Sequence, residues 1–296
     1  MPATPFFSVI LPTYGRPELL GRALASLWAQ TWQDFEVILV DANPPEHRMR
    51  TVPTLQPLLA DERLRIVELP SPAVAGGARN AGRAEARGQW IVYQDDDDAS
   101  RPERLAALQT RIRQEPDCPL LLSALCCHLQ ARKRVVPADV EELVGEARWT
   151  QAFPVTMALC HRREGAPRFL AELAAAEDNY LYYALLQAWR PARVPVVTQP
   201  LADIYPQSSA HLEAKQRRLT RGWQRILRDF GGSWPAAVRR HFVLHTVLAR
   251  YRYHRLDRGF WRYGVAYLRT TKGRGWRYLL NLLLSRIRWG RERVVS

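Results

Sequence analysis

The chain has 296 residues and only four cysteines, Cys118, Cys126, Cys127 and Cys160. None is spaced as a CxxC pair, and adjacent Cys126 and Cys127 are poorly placed to bond each other. That argues against a disulfide framework and for the reduced thiols of a cytosolic protein. Long apolar runs are missing too: no uninterrupted stretch is long enough to span a bilayer. The short apolar segment between Pro5 and Pro12 has no basic segment before it. It is too short for a signal peptide and is expected to be a strand. Acid is scarce in one region only. From Pro206 onward the chain holds 21 Lys and Arg against 4 Asp and Glu, whereas the residues before it hold 22 against 25. The net charge of +14 therefore belongs to the C-terminal third. Such a block favours an anionic partner: nucleic acid, a phospholipid surface or an acidic polymer.

What is present reads as alternating strands and helices with enough apolar content for a sizeable core. Phe6 to Pro12 is the first strand and Thr13-Tyr14-Gly15-Arg16 a turn. Pro17 then opens a helix with Leu20, Ala23, Leu24, Leu27 and Trp28 at helical spacing. Phe35 to Val40 is a second strand ending at Asp41, so the three pieces form a βαβ unit with parallel strands. Leu64 to Leu69 predicts a third strand. A helix of small residues runs from Gly76 to about Gly88, close to the sheet or to a ligand. Trp90 to Tyr93 is the fourth strand, and Pro102 to about Gln114 a helix. Leu120 to Leu129 extends the sheet, with a return through Val135-Val136, and Phe153 to Cys160 is a further apolar run. Glu177 to Ala188 reads as a helix. Val194 to Val197 reads as an edge strand, because Pro195 would interrupt a central one. Leu201 to Tyr205 is the last piece of a first domain, expected over residues 1–207. A basic helical region over 208–296 follows, broken at Gly231 to Pro235 and again at Gly273 to Gly275.

The fourth strand ends in Asp95, Asp96, Asp97 and Asp98. A buried strand that ends in acid places it where ligands bind in open α/β sheets. Four like charges in a row call for a cation, and hard oxygen donors suit Mg²⁺ or Mn²⁺, often with a substrate phosphate. The plain alternative is a solvated acidic turn.

Taken together, five blocks resemble the inverting family 2 glycosyltransferases with a GT-A fold. The first is Ser8-Val9-Ile10-Leu11-Pro12-Thr13-Tyr14 with Arg16-Pro17. The second is Ala29-Gln30-Thr31 with Phe35 to Asp41. Then come Ala78-Arg79-Asn80-Ala81-Gly82, the acidic run with Pro102, and Ala176-Glu177-Asp178. The resemblance covers about residues 6 to 205. It implies a Rossmann-like, mostly parallel sheet flanked by helices, with the basic helical region as an extension.

It also implies roles. The D-x-D pattern falls on Asp95-Asp96-Asp97, with Asp97 the first choice as metal ligand. Asp95 or Asp96 would meet the nucleotide ribose or the ion, and Asp98 would shape the turn. Asp41, Thr13 and Tyr14 would bind the nucleotide base. Arg79 and Asn80 would lie near the diphosphate, where a cation and helix N-terminal amides favour an anion. Asp178 of the Glu177-Asp178 pair would be the general base, although first-turn acids are ordinary in themselves. The expected partners are a nucleotide-diphospho-sugar donor and a glycan or lipid-linked acceptor, with surface polysaccharide or glycolipid assembly as the setting.

The chain departs from the family pattern twice. Ala42-Asn43-Pro44 stands where a second acid and Gly-Ser are usual. Ser208 stands where many relatives carry a histidine, with His211 three residues on as the candidate substitute at the metal. His47, His128 and His161 fit no such pattern and are given no role. The tail mixes arginine with Trp223, Trp234, Trp261, Trp276 and Trp289. It reads either as a peripheral contact with an anionic membrane, on the inner face of the cell membrane, or as a helical bundle with solvated arginines. Two other functions compete. A nucleotidyltransferase would need a richer glycine and cation loop than Thr13 to Arg16. A nucleic-acid-binding protein could use the basic aromatic tail, but the ordered acidic sites make nucleic acid an unlikely substrate.

Overall fold

The computed structural model describes residues 4–70, 73–129, 132–136, 140–150, 154–205, 212–253, 258–271 and 276. The chain divides into two compact units, Met1–Ser208 and Ser209–Ser296.

In the first unit, β1 (Phe7–Thr13) and β2 (Phe35–Asp41) are parallel, in register from Phe7 with Phe35 to Thr13 with Asp41. Their apolar runs are nearly continuous because helices cover the sheet. Between them α1 (Pro17–Trp28) starts at its proline and buries Leu20, Ala23, Leu24 and Leu27 against the sheet. Three 3-10 turns and the single-turn helix α2 (Gln56–Leu59) lead to β3 (Leu64–Glu68), parallel to β2. Helix α3 (Ala75–Glu85) crosses back to β4 (Trp90–Tyr93), parallel to β1. Next come β5 (Ala99–Ser100), α4 (Arg104–Gln114), β6 (Leu120–Leu129), β7 (Arg132–Val136), β8 (Glu142–Val144) and α5 (Ala147–Thr150). Strand β9 (Leu159–Arg162), helix α6 (Glu177–Trp189) and strand β10 (Arg193–Ile204) complete the unit. The sheet order is β3-β2-β1-β4-β9-β6-β10-β5, with β7 on β6 and β8 on β10. The quartet β3-β2-β1-β4 is parallel. Beyond it the pairing is mixed, since β9 runs antiparallel to both β4 and β6.

One expectation is corrected. The segment with Pro195 is not an edge strand. It belongs to β10, which continues to Ile204 and lies between β6 and β5. The prolines sit where the pairing with β6 is absent or irregular: Pro195 pairs instead with Glu142 of β8. Pro195 precedes the first register pair with β6, Val196 with Leu122. Pro200 lies between two register shifts. Leu201 to Tyr205 is thus mostly the end of the same strand. The return through Val135-Val136 is β7. The run toward Cys160 forms the 3-10 turn Thr156–Ala158 and then β9, while Phe153 lies outside the described residues.

The second unit contains α7 (Leu212–Phe230), α8 (Ala236–Tyr253) and α9 (Arg258–Thr270). Val243 and Val247 of α8 pack against Phe260 and Tyr267 of α9. Trp223 and Trp234 flank Phe242, with ring centroids 5.6 and 4.5 Å away. The break at Gly231 to Pro235 separates α7 from α8, and the expected break at Gly273 to Gly275 lies outside the described residues. Among the described residues no helix is long and apolar enough to cross a membrane.

The small residues of α3 have a measurable reason. A Cβ on Gly82 would stand 2.7 Å from Ile10 Cγ2 and 2.8 Å from Val40 Cγ2, so α3 lies against β1 and β2 at closest approach. Gly77, on the same helix, has nothing nearer than 3.9 Å. Both substitutions to alanine gain about 1 kcal/mol of helix propensity, but at Gly82 overpacking costs about 1–3 kcal/mol. Urea unfolding should therefore show Gly82→Ala less stable than Gly77→Ala by at least about 1 kcal/mol. Equal midpoints would mean that the helix does not approach so closely.

Candidate active site

Parallel β1 and β4 end side by side, which places Thr13 next to the acidic run. Gln94 N–H donates to Ile10 O at 3.0 Å, and Thr13 Oγ1–H donates to Asp96 Oδ2 at 2.8 Å. A cavity of about 270 Å³ opens at this carboxyl edge, walled by Pro12, Thr13, Tyr14, Arg16, Ala78, Arg79, Asp95, Asp96 and Asp97, among others.

The four carboxylates have four different surroundings. Asp95 and Asp97 keep exposed edges on the cavity, while Asp96 and Asp98 are buried. Arg16, in the turn after β1, holds Asp97 Oδ2 at 2.7 Å through Nη1 and Asp96 Oδ1 through Nη2. Arg22 of α1 donates to the Asp97 carbonyl and lies 4.2 Å from the centre of the Tyr205 ring. Burial pushes Asp96 up to about 6, against the pull of Arg16 and Thr13. Burial pushes Asp98 up to about 7, although its Oδ1 accepts the Tyr205 N–H at 2.9 Å. Asp98 thereby ties the acidic turn to the end of β10. Beneath the run lies Arg104, fully buried. Its Nη2 donates to Tyr93 O at 2.9 Å and Met157 O at 2.7 Å, and its Nη1 to Ser100 Oγ at 2.8 Å.

Arg79 joins the acidic run to α6. Its Nη2 donates to Asp95 Oδ1 at 2.7 Å and its Nη1 to Glu177 Oε1 at 3.0 Å. Burial works against this guanidinium's charge, but Asp95 and Glu177 outweigh it and the pKa is raised. Glu177 and Asp178 open α6 just after Ala176, a non-glycine residue at φ 64° whose left-handed backbone turns the chain into the helix. Burial, with the Glu177 charge beside it, raises the Asp178 pKa. Asp178 Oδ1 accepts Asn179 N–H and Asn179 Nδ2–H, each at 2.7 Å. Its Oδ2 has no hydrogen-bond partner among the described residues.

Of the residues expected at the site, Thr13, Tyr14, Arg79, Asp95, Asp96 and Asp97 line the cavity together. Tyr14 is exposed and also borders a second cavity of about 430 Å³ beside Asn43 and Met49. Asp41 and Asn80 do not line it. Asp41 is fully buried. Its Oδ1 accepts Asn43 N–H and Nδ2–H at 3.0 and 2.8 Å, and its Oδ2 accepts Met49 N–H at 2.7 Å. Asn43, at the departure from the family pattern, accepts Gly15 N–H at 2.7 Å and so ties Asp41 to the β1 turn. Asn80 is engaged with the Phe169 backbone, donating to its O and accepting from its N–H, both at 2.9 Å. His211 lies outside the described residues.

Sequence reasoning gave no role to Arg16, Arg22 or Arg104. The Arg16-Pro17 pair was visible, but its carboxylate partners lie about eighty residues away. His128, given no role either, falls in a cluster with Cys126 and Asp203 whose donor atoms lie within 4.8 Å of one another. Arg101 already pairs with Asp203 at 3.1 Å, so that cluster carries its own cation. At the acidic run the donors are carboxylate oxygens, and the Arg16 and Arg79 guanidiniums lie among them. That hard oxygen set fits Mg²⁺ or Mn²⁺.

Comparison with known proteins bears on the fold and the family of the first unit. Residues 8–123 match the family model described as Glycosyl transferase family 2. A succinoglycan biosynthesis protein, ExoO of Rhizobium meliloti, is 35% identical over 107 residues, 36% of this chain and 30% of that protein. A Campylobacter jejuni GalNAc(5)-diNAcBac-PP-undecaprenol beta-1,3-glucosyltransferase is 31% identical over 108 residues, 36% of this chain and 34% of that protein. The matches thus span about a third of the relatives' own lengths. In three dimensions the chain is similar to S. aureus TarS 1-349 in complex with UDP-GlcNAc: TM-score 0.61, 19% identity, 85% of this chain and 74% of that one. It is also similar to the mannosyltransferase PcManGT from Pyrobaculum calidifontis in complex with GDP-Man and Mn²⁺: TM-score 0.55, 16% identity, 96% and 86%. Residues 8–123 thus match a family 2 glycosyltransferase domain, and the fold is GT-A.

The raised carboxylates set a pH dependence. Between the ordinary carboxylate value and about 7 the folded chain keeps a proton on Asp98 that the unfolded chain has released. Its stabilising contribution is therefore full in acid and lost as pH rises through that window. Asp98→Asn keeps the oxygen that accepts Tyr205 N–H and should flatten the fall in stability between pH 4 and 7 by about 1 kcal/mol or more. Urea midpoints with EDTA present measure this, and an unchanged slope would contradict it.

Proposed function

We propose that the chain is a metal-dependent inverting glycosyltransferase. It moves a sugar from a nucleotide-diphospho-sugar to a hydroxyl of a glycan or lipid-linked acceptor. The observation that carries this is the Arg79 bridge, which ties the acidic donor edge at Asp95 to the helix start that bears Asp178. A leaving diphosphate and an attacking hydroxyl must be served within one sugar's reach.

Asp97, with Asp95, would hold Mn²⁺ or Mg²⁺, which neutralises the diphosphate leaving group when bound. Thr13 and Tyr14 wall the nucleotide side, and Arg79 adds fixed positive charge. Asp41 acts there from behind the wall, positioning Asn43 and the β1 turn. Asp178 takes the proton from the acceptor hydroxyl as it attacks the anomeric carbon. A carboxylate with raised pKa and one open oxygen is suited to that step. A relative named for succinoglycan biosynthesis and another for a PP-undecaprenol substrate support surface polysaccharide or glycolipid assembly as the setting. The basic second unit supports a peripheral place at an anionic membrane, on its inner face.

A thermal-shift screen of nucleotide sugars with and without Mn²⁺ tests the donor reading, since a ligand of the folded state raises Tm. Asp97→Ala should abolish the Mn²⁺-dependent shift with the fold intact, and binding as tight as the parent's would remove Asp97 from the role. Asp178→Asn should retain donor binding while transfer falls by about 10²-fold or more. An unchanged transfer rate would move the base to Glu177.

A further inference from the structure

The second unit holds a cavity of about 1090 Å³ that the transfer reaction does not use. Helix α9 contributes Arg258, Arg262 and Arg269 to its wall, α7 contributes Arg221, Arg225 and Arg228, and α8 contributes Arg239. No acidic side chain lines it among the described residues. Asp229 pairs with Arg225 and Arg228, offsetting about one charge. Arg221, Arg239, Arg258, Arg262 and Arg269 make no ion pair among the described residues. A concave wall of one sign focuses its field and concentrates anions. Guanidinium forks match phosphate oxygens two at a time, so this many arginines suit clustered phosphates better than a single charge.

The apolar neighbours point to the carrier of those phosphates. On α9 the positions 258, 261, 262, 265 and 269 all face the cavity, the i, i+3, i+4, i+7 pattern of one helix face. That face sets Trp261, 53% exposed, and Val265, 46% exposed, among the arginines. The fold does not need them there, because α9 packs on α8 through Phe260 and Tyr267. Exposed aromatic and aliphatic residues among arginines suit the boundary between headgroups and acyl chains. An aliphatic Val265 in that row fits a lipid better than a stacked base.

We propose that this cavity binds the phosphates of a lipid-borne diphosphate. The inference rests on the reading of the acceptor as lipid-linked and names where its anionic end is held. The test uses the full chain and phosphatidylcholine vesicles that carry either a polyprenyl diphosphate or phosphatidylglycerol at equal surface charge. Co-sedimentation should favour the diphosphate vesicles by about tenfold or more, since at equal surface charge only clustered phosphates engage several guanidinium forks at once. The triple variant Arg258→Gln/Arg262→Gln/Arg269→Gln should lose that preference. A control, Arg217→Gln/Arg218→Gln/Arg240→Gln, removes the same charge outside the cavity and should keep it. Circular dichroism and nucleotide binding by the first unit check that both variants are folded. Unchanged binding by the cavity variant overturns the proposal, and so does an equal loss in the control, which means diffuse charge. Inorganic pyrophosphate bound as tightly as the vesicles overturns the lipid assignment. Tighter binding of single-stranded RNA, lost in the cavity variant, assigns the site to nucleic acid instead. If no nucleotide sugar binds while the vesicle result holds, the transferase reading falls and the cavity stands.

Discussion

Four adjacent carboxylates at the end of one buried strand are the constraint around which the first unit is arranged. Left alone they would repel one another and resist burial. The fold gives each a different partner. Arg16 spans Asp96 and Asp97, Arg79 takes Asp95, and the Tyr205 amide takes Asp98. Arg104, buried beneath them, fixes the carbonyls of Tyr93 and Met157 and the Ser100 hydroxyl that frame the turn. Two acids are thereby sunk as structure and two are left with exposed edges. Only the exposed pair keeps carboxylate oxygens open to the cavity.

The same arginines carry the arrangement outward. Arg79 is buried on α3, and α3 lies close on β1 and β2 only because Gly82 presents no side chain to Ile10 and Val40. From there the guanidinium reaches Glu177 at the head of α6, which the left-handed Ala176 turns into place. The base candidate therefore owes its position to a glycine, an arginine and a strained alanine. Asn80 supports this indirectly: its clamp on the Phe169 backbone holds the loop against α3.

The two units divide the charge between them. The first gathers acid at a site that needs cations. The second gathers arginine around a cavity whose wall has no acid among the described residues. Neither preference follows from core packing, since both units fill their interiors with ordinary aliphatic and aromatic contacts.

Local chemistry made much of this legible in the linear chain. The apolar runs of β1, β2 and β4, the proline that opens α1, the acid after β4 and the Glu177-Asp178 start of α6 all follow from periodicity and capping within a few residues. Those properties depend on neighbours along the chain, so the chain states them. Partner choice does not. The place of β10 inside the sheet depended on where its prolines fell relative to the register of β6. The burial of Asp41 depended on Asn43 and Met49 folding back over it. The union of Arg16 with Asp96 and Asp97 depended on β1 and β4 being parallel neighbours. The sequence by itself determined which segments become strands and helices, and that acid stands at a strand end. Which carboxylate is neutralised, and by which arginine, was decided only when distant strands paired, because electrostatic and hydrogen-bond partners are set by distance in space and not by separation along the chain.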